Sequence, residues 1–271
     1  MYKKSLLIPV IAMVSFNVNA GLFDFNDFKC GRDDAVKTIV DYIKSDASGL
    51  LQSNYLTRGK DNYSKPLDIY QAKLNAMDVS VINVSTLNSD DDGIKCAATI
   101  SIKLPQEAID VIGNIPSKLS QLTDYNGKLV NGSVVWRDAR YNLKLADNKK
   151  DILVSGLNGM NASSVMYNVV VMTTDKERII DNNSQSILSS AKYNYEDVDR
   201  ELNEVWKNLP DSARDALKKA QLTWVNEKVL KCGKLSDTKL DTISVQQKIN
   251  IYQCQAKMTD ERINYLVGNS N

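Results

Sequence analysis

The stretch MDVSVINVSTLNSDDDGIKCAATISIKL, Met77 to Leu104, alternates apolar and polar residues on both sides of an acidic, glycine-bearing centre. Val79 and Val81 lead into the centre, and Ile94, Cys96, Ala98, Ile100 and Ile102 share one parity after it. Successive side chains of a strand point to opposite faces, so the pattern predicts two strands, each burying one face, joined as an antiparallel hairpin. Within the loop, Asn88, Asp90, Asp92 and Gly93 stand in the order of a calcium-binding loop. The twelfth position, which needs a bidentate glutamate, is Thr99, and the flanks are strands. A solvated hairpin loop is therefore expected, with no metal site and no cofactor.

Upstream of the hairpin, DDAVKTIVDYIKSDASGLL brings Ala35, Ile39, Tyr42, Ile43 and Leu50 near one helical face. Asp33 and Asp34 suit the start of that helix and Pro66 ends the pattern. Beyond the hairpin, Gly113 and Pro116 interrupt LPQEAIDVIGNIPSKLSQL, which predicts a short helix plus loop. In GSVVWRDARYNLKLADNKKDILVSGL, Val135, Arg137, Ala139, Tyr141, Leu143 and Leu145 share a parity; ADNKKD then turns, and Ile152 and Val154 return. The apolar SSVMYNVVVMTTDKERII predicts one further strand or two. A helix followed by antiparallel strands is an α+β arrangement, a helix packed across a curved sheet, with a cystatin-like or NTF2-like outline.

From about Tyr193 the character changes. Val198, Leu202, Val205, Trp206 and Leu209 recur at helical spacing, and Pro210 with Asp211 closes that helix and opens another. Ala213, Leu217, Ala220 and Trp224 mark the inner face of the second helix, and Gly233 follows it as a C-cap. A last helix runs from Thr242 with Val245, Ile249, Tyr252, Ala256, Ile263 and Leu266 inward. The polar, serine-rich DNNSQSILSSAKYN, 181–194, reads as a connector. The expected organisation is an α+β domain over 21–190 and a small all-helical domain over 195–271.

Residues 1–20 carry the parts of a secretory signal: Lys3 and Lys4, an apolar stretch from Leu6 to Phe16, then Val18-Asn19-Ala20. A bacterial protein, periplasmic or secreted and starting at Gly21, is expected, with no membrane span once the signal is removed. Setting Lys3 and Lys4 aside leaves 32 basic against 33 acidic residues, which gives no pull toward nucleic acid. The chain has no histidine. That removes the usual general base and the commonest zinc ligand, and no spacing singles out a pair of carboxylates. No enzyme is expected.

The four cysteines, Cys30, Cys96, Cys232 and Cys254, form no CxxC pair, and in an oxidising compartment an even number reads as disulfides. Three pairings are open. Keeping each bridge inside one domain favours Cys30–Cys96 and Cys232–Cys254, whose loops would contribute about 4.4 and about 3.4 kcal/mol through chain entropy.

The C-terminal helices also carry Leu202-Asn203, Trp206, Leu209, Arg214, Leu217, Ala220-Gln221, Trp224-Val225, Lys228 and Cys232, then Cys254, Thr259, Arg262 and Leu266. On these residues the segment 199–267 resembles the LprI-type lysozyme inhibitors, small secreted bacterial domains. The most specific piece is Ala220-Gln221 with Trp224, then Lys228 and Cys232. The family shows an aromatic residue and then arginine where this chain has Glu227 and Lys228. The resemblance implies a protein partner, lysozyme or another peptidoglycan hydrolase, bound by steric occlusion of its cleft. An immunity protein for a secreted toxin, or an envelope-assembly accessory, is the alternative. Helical spacing places Trp206 and Trp224 in the core, with Gln221 bonded to a neighbour and Arg262 bracing a helix pair.

Overall fold

The computed structural model describes residues 28–59, 62–90, 93–157 and 160–268. Residues 1–20, expected to be a secretory signal, and Asp92 of the hairpin loop lie outside the described residues. The chain is α+β: an antiparallel sheet with packed helices, then a helical C-terminal region.

Helix α1, Asp33–Thr57, opens with Asp33 and Asp34 in its first turn, where carboxylates favour the exposed backbone N–H groups. It buries Ala35, Ile39, Ile43, Ala47 and Leu51, a strict four-residue step. Tyr42 is left exposed on its flank, and Leu51 takes the place expected of Leu50. A short helix not foreseen in the sequence, α2 (Leu67–Asn75), starts directly after Pro66 and buries Tyr70 and Leu74.

The hairpin comprises β1 (Val79–Asp90) and β2 (Gly93–Lys103), antiparallel, with Val79 opposite Ile102 and Asp90 opposite Gly93. Helix α3 (Gln106–Asn114) follows, then a 3-10 turn over Pro116–Leu119 and the single turn α4 (Ser120–Thr123). Strands β3 (Lys128–Val130), β4 (Ser133–Leu145) and β5 (Ile152–Ser155) complete a sheet of order β1-β2-β4-β3, with β5 also paired to β4. One expectation fails inside β4. Val134 and Trp136 point inward, Arg137 and Asp138 are both exposed, and only from Ala139 onward do Tyr141 and Leu143 follow the expected parity. Asp138 has φ +55° and the pairing with β2 slips between Ala98 and Ile100, so a bulge flips the face on which side chains emerge.

The apolar run after Asn161 is helical, not extended. Helix α5, Ala162–Thr174, buries Ala162, Val165, Met166, Val169, Val170, Met172 and Thr174. Steps of three and four are present in the sequence, but in a run apolar on nearly every side they do not stand out from a buried strand. α5 packs against α1, α2 and α3, and its side chains join those of β2 and β4 in one continuous core.

Helix α6 then runs unbroken from Lys176 to Asn208, 33 residues and about 50 Å. The segment 181–194 is thus the middle of a helix and no irregular connector. Its serines and asparagines are the solvated surface of a rod that buries only Ala191 and Leu202. The rod is tied to the sheet-bearing part at its first turn. Lys176 pairs with Asp110 of α3 at 2.5 Å, and Arg178 pairs with Asp175, whose side chain is fully buried. Asp175 also accepts from the Tyr70 hydroxyl and from the backbone N–H and hydroxyl of Ser64. Burial pushes its carboxyl up, but the bonds from Ser64, Tyr70 and Arg178 prevail and hold it below the ordinary carboxylate range.

Helix α7 (Asp211–Cys232) turns back after Pro210, and α8 (Val245–Leu266) returns to pack along α6. A 3-10 turn over Leu235–Lys239 lies between them. α8 begins with a capping box: the Ser244 hydroxyl accepts from the Gln247 N–H while the Gln247 side chain accepts from the Ser244 N–H. No described helix is long and apolar enough to cross a membrane.

Candidate functional site

Two helical stripes face each other in the C-terminal region. On α6, Tyr195, Asp199, Leu202, Asn203 and Trp206 recur every three or four residues, which sets them on one face. On α7 the same spacing brings Gln221, Trp224, Val225, Lys228 and Val229 to the opposing wall. Gln255 of α8, with Leu235 and Ser236 of the 3-10 turn, closes the end of the cleft, whose volume is about 710 Å³.

Both tryptophans are half-buried and line this cleft, so neither belongs to a closed core. A tryptophan stripe at helical spacing has the same signature whether it meets another helix directly or across a gap. Ala220, expected inside, is exposed, and α7 buries only Lys228 and Cys232.

Lys228 is the unusual element. It is 6% exposed, and its ammonium donates to the Thr259 hydroxyl of α8 at 3.1 Å. The ammonium lies 4.8 Å from the Trp224 ring centre, 5.6 Å from that of Tyr195 and 3.9 Å from the Asp199 carboxylate. Burial lowers the lysine's affinity for its proton and Asp199 offsets part of that. Thr259 donates its own hydroxyl proton to the Gln255 carbonyl at 2.7 Å. The Gln255 side chain donates to the Gly233 carbonyl at 2.7 Å, while its Oε1, also buried, has no partner among the described residues.

Arg262 of α8 joins the same group. Its Nε donates to Gln221 Oε1 at 2.8 Å, and its guanidinium stacks 5.7 Å from the Trp224 ring centre and 4.7 Å from that of Tyr265. Two cations therefore stand close to the Trp224 ring. The structure brings Gln221, Trp224, Lys228 and Arg262 together, and they fasten α7 to α8. Below them the Cys232–Cys254 bridge, with Cα atoms 5.4 Å apart, joins the end of α7 to the middle of α8. Cys30–Cys96 belongs elsewhere: it ties the segment leading into α1 to β2, with Cα atoms 5.8 Å apart. Arg214 locks the α6–α7 corner by donating to the Lys207 carbonyl and pairing with Asp211.

The helices that build this cleft also carry the sequence match. Residues 176–266 match the lysozyme inhibitor LprI family. The match covers 91 of 271 residues and takes in α6, α7 and α8 together. The LprI region thus begins at the first turn of α6, earlier than the segment 199–267 that carries the resemblance. The family is described as an inhibitor, which fits a protein that binds another protein and is not a catalyst. No curated protein and no solved structure is significantly similar to the chain.

Sequence reasoning does not single out Tyr195, Asp199 or Gln255. Tyr195 and Asp199 lie at the α6 spacing that already contains Leu202 and Trp206, and that spacing is the signal available. Gln255 has none, because a polar residue beside Cys254 is ordinary until its neighbours are known.

Proposed function

We propose that the chain is an extracytoplasmic protein, periplasmic or secreted, whose LprI region binds lysozyme or another peptidoglycan-cleaving enzyme and blocks its cleft sterically. The observation that carries this reading is the coincidence of the family match with one structural unit, α6 to α8, closed by its own disulfide. Two disulfides and no free cysteine among the described residues fit an oxidising compartment. Residues 196–271 hold 12 basic and 12 acidic residues, so charge steering toward a cationic enzyme is weak and contact must rest on apolar and hydrogen-bonding surface. α7 offers such a surface, since Leu222 is 60% and Leu230 86% exposed.

The test is lysozyme-driven clearing of a cell-wall suspension with and without the full chain. Slower clearing that saturates with added protein is expected, and Leu230→Glu should weaken it while leaving the melting temperature unchanged. Clearing that is indifferent to a large excess of the protein would remove lysozyme as the partner.

A further inference from the structure

We infer that the cleft between α6 and α7 is a binding site for a neutral saccharide. This goes beyond the inhibitory reading and does not depend on it. Polar groups of the cleft are left with unfilled hydrogen-bonding capacity. The Lys228 ammonium has three N–H groups and one hydrogen bond within normal distance, to Thr259. Asp199 stands 3.9 Å from it, too far for a direct hydrogen bond. A hydroxyl group seated beside the pair, about 2.8 Å from each atom, bridges donor and acceptor. A hydroxyl oxygen can accept from Lys228 while its proton goes to Asp199.

The remaining walls select further. Trp206, Trp224 and Tyr195 offer ring surface to an apolar face, and Asn203 and Gln221 add amide groups at the rim. An anion meets the Asp199 carboxylate beside the buried ammonium. A cation finds the aromatic cage already filled by Lys228, between Trp224 and Tyr195. A purely apolar ligand leaves the Lys228 and Asp199 pair without a bridging group. What remains is a ligand carrying alternating hydroxyl donors and acceptors around a C–H face, which describes a pyranose ring. A cleft of about 710 Å³ admits more than one such ring.

The experiment titrates the full chain with two neutral trisaccharides, one of β-1,4-linked glucose and one of β-1,4-linked N-acetylglucosamine, by calorimetry and tryptophan emission. Acetate and a glutamate-rich peptide serve as anionic controls. Saturable binding of at least one trisaccharide is expected, with a dissociation constant below about 1 mM and a change in emission. Trp206→Ala should weaken it at least about tenfold. Asp199→Asn, which keeps the side-chain shape and so guards against a folding defect, should weaken the saccharide while not weakening acetate. The inference is overturned by any of three results: no saturable binding of either trisaccharide, preferential binding of the anions, or unchanged saccharide affinity in both variants.

Discussion

Helices α5 and α7 are held in opposite ways. α5 buries seven of its 13 residues, nearly all apolar, against α1, α2, α3 and the sheet. α7 is 22 residues long and buries two, a lysine and a disulfide-bonded cysteine. Burying an apolar side chain contributes about 1.5–3 kcal/mol, so apolar burial alone secures α5 many times over. α7 lacks that resource. It is fastened by Arg262 of α8, which stacks on Trp224 and bonds Gln221, by Lys228 on Thr259, and by a covalent bond at its end. An element secured by a few directional contacts keeps its outer surface and its cleft free for a ligand or partner. The same three C-terminal helices accordingly carry both the family match and the open cleft.

The largest effect that would probe this contrast lies at the junction. Asp175→Ala leaves Arg178, Tyr70 and Ser64 without their common acceptor and should cost about 3–5 kcal/mol in chemical denaturation. The native carboxyl titrates below its unfolded value, so its contribution is present at neutral pH. It is lost as pH falls through the depressed native value, because the unfolded state binds the proton first. The mutant should therefore show a shallower loss of stability in acid than the wild type.

Cys232→Ser should cost about 2–5 kcal/mol, seen as earlier melting of the helical region, since three helices with a small core lean on a covalent link. A loss of the same size in the sheet would erase the distinction between the two regions. Trp224→Ala should cost about 1–2 kcal/mol, less than a core tryptophan, because half of the ring faces the cleft and much of its worth is cation stacking. A loss near about 4 kcal/mol would return that ring to the core.

The smallest effect sharpens the comparison from the polar side. Lys228→Met removes a charge that is expensive to bury and should leave stability within about 1 kcal/mol of wild type, or raise it. The native lysine has a lowered affinity for its proton, so wild-type stability should rise as pH climbs from the native value toward the unfolded one near 10.5. In Lys228→Met that rise should be reduced when the two unfolding free energies are compared across the alkaline range.

Much of the fold is legible where one period dominates. The hairpin of β1 and β2 and the inner face of α1 follow from alternation and from four-residue steps. α5 does not, because Val169, Val170 and Val171 stand in a row and hide the three-and-four spacing of Val165, Met166, Val169 and Val170. β4 reads with one parity throughout, since nothing local marks Asp138 as the bulge that turns Trp136 inward. The middle of α6 reads as a connector because a solvated helix and a polar loop draw on the same residues. In the cleft, spacing places Trp206 and Trp224 on inward faces but does not say that a gap, and not a packed neighbour, lies opposite them. The resemblance locates Gln221, Trp224, Lys228 and Arg262. Tyr195, Asp199 and Gln255 need the three-dimensional arrangement.

The sheet-bearing part stands on its apolar core, and α8 packs Ile249, Ala256 and Ile263 inward, whereas α7 stands on a bridge and a few polar contacts. Amide hydrogen exchange on the full chain, wild type against Cys232→Ser/Cys254→Ser, tests this contrast most directly. Faster exchange is expected to be confined to α7, α8 and the C-terminal half of α6, with β2, β4 and α5 protected as before. Unchanged protection in α7 and α8, or an equal loss across the sheet, would contradict it.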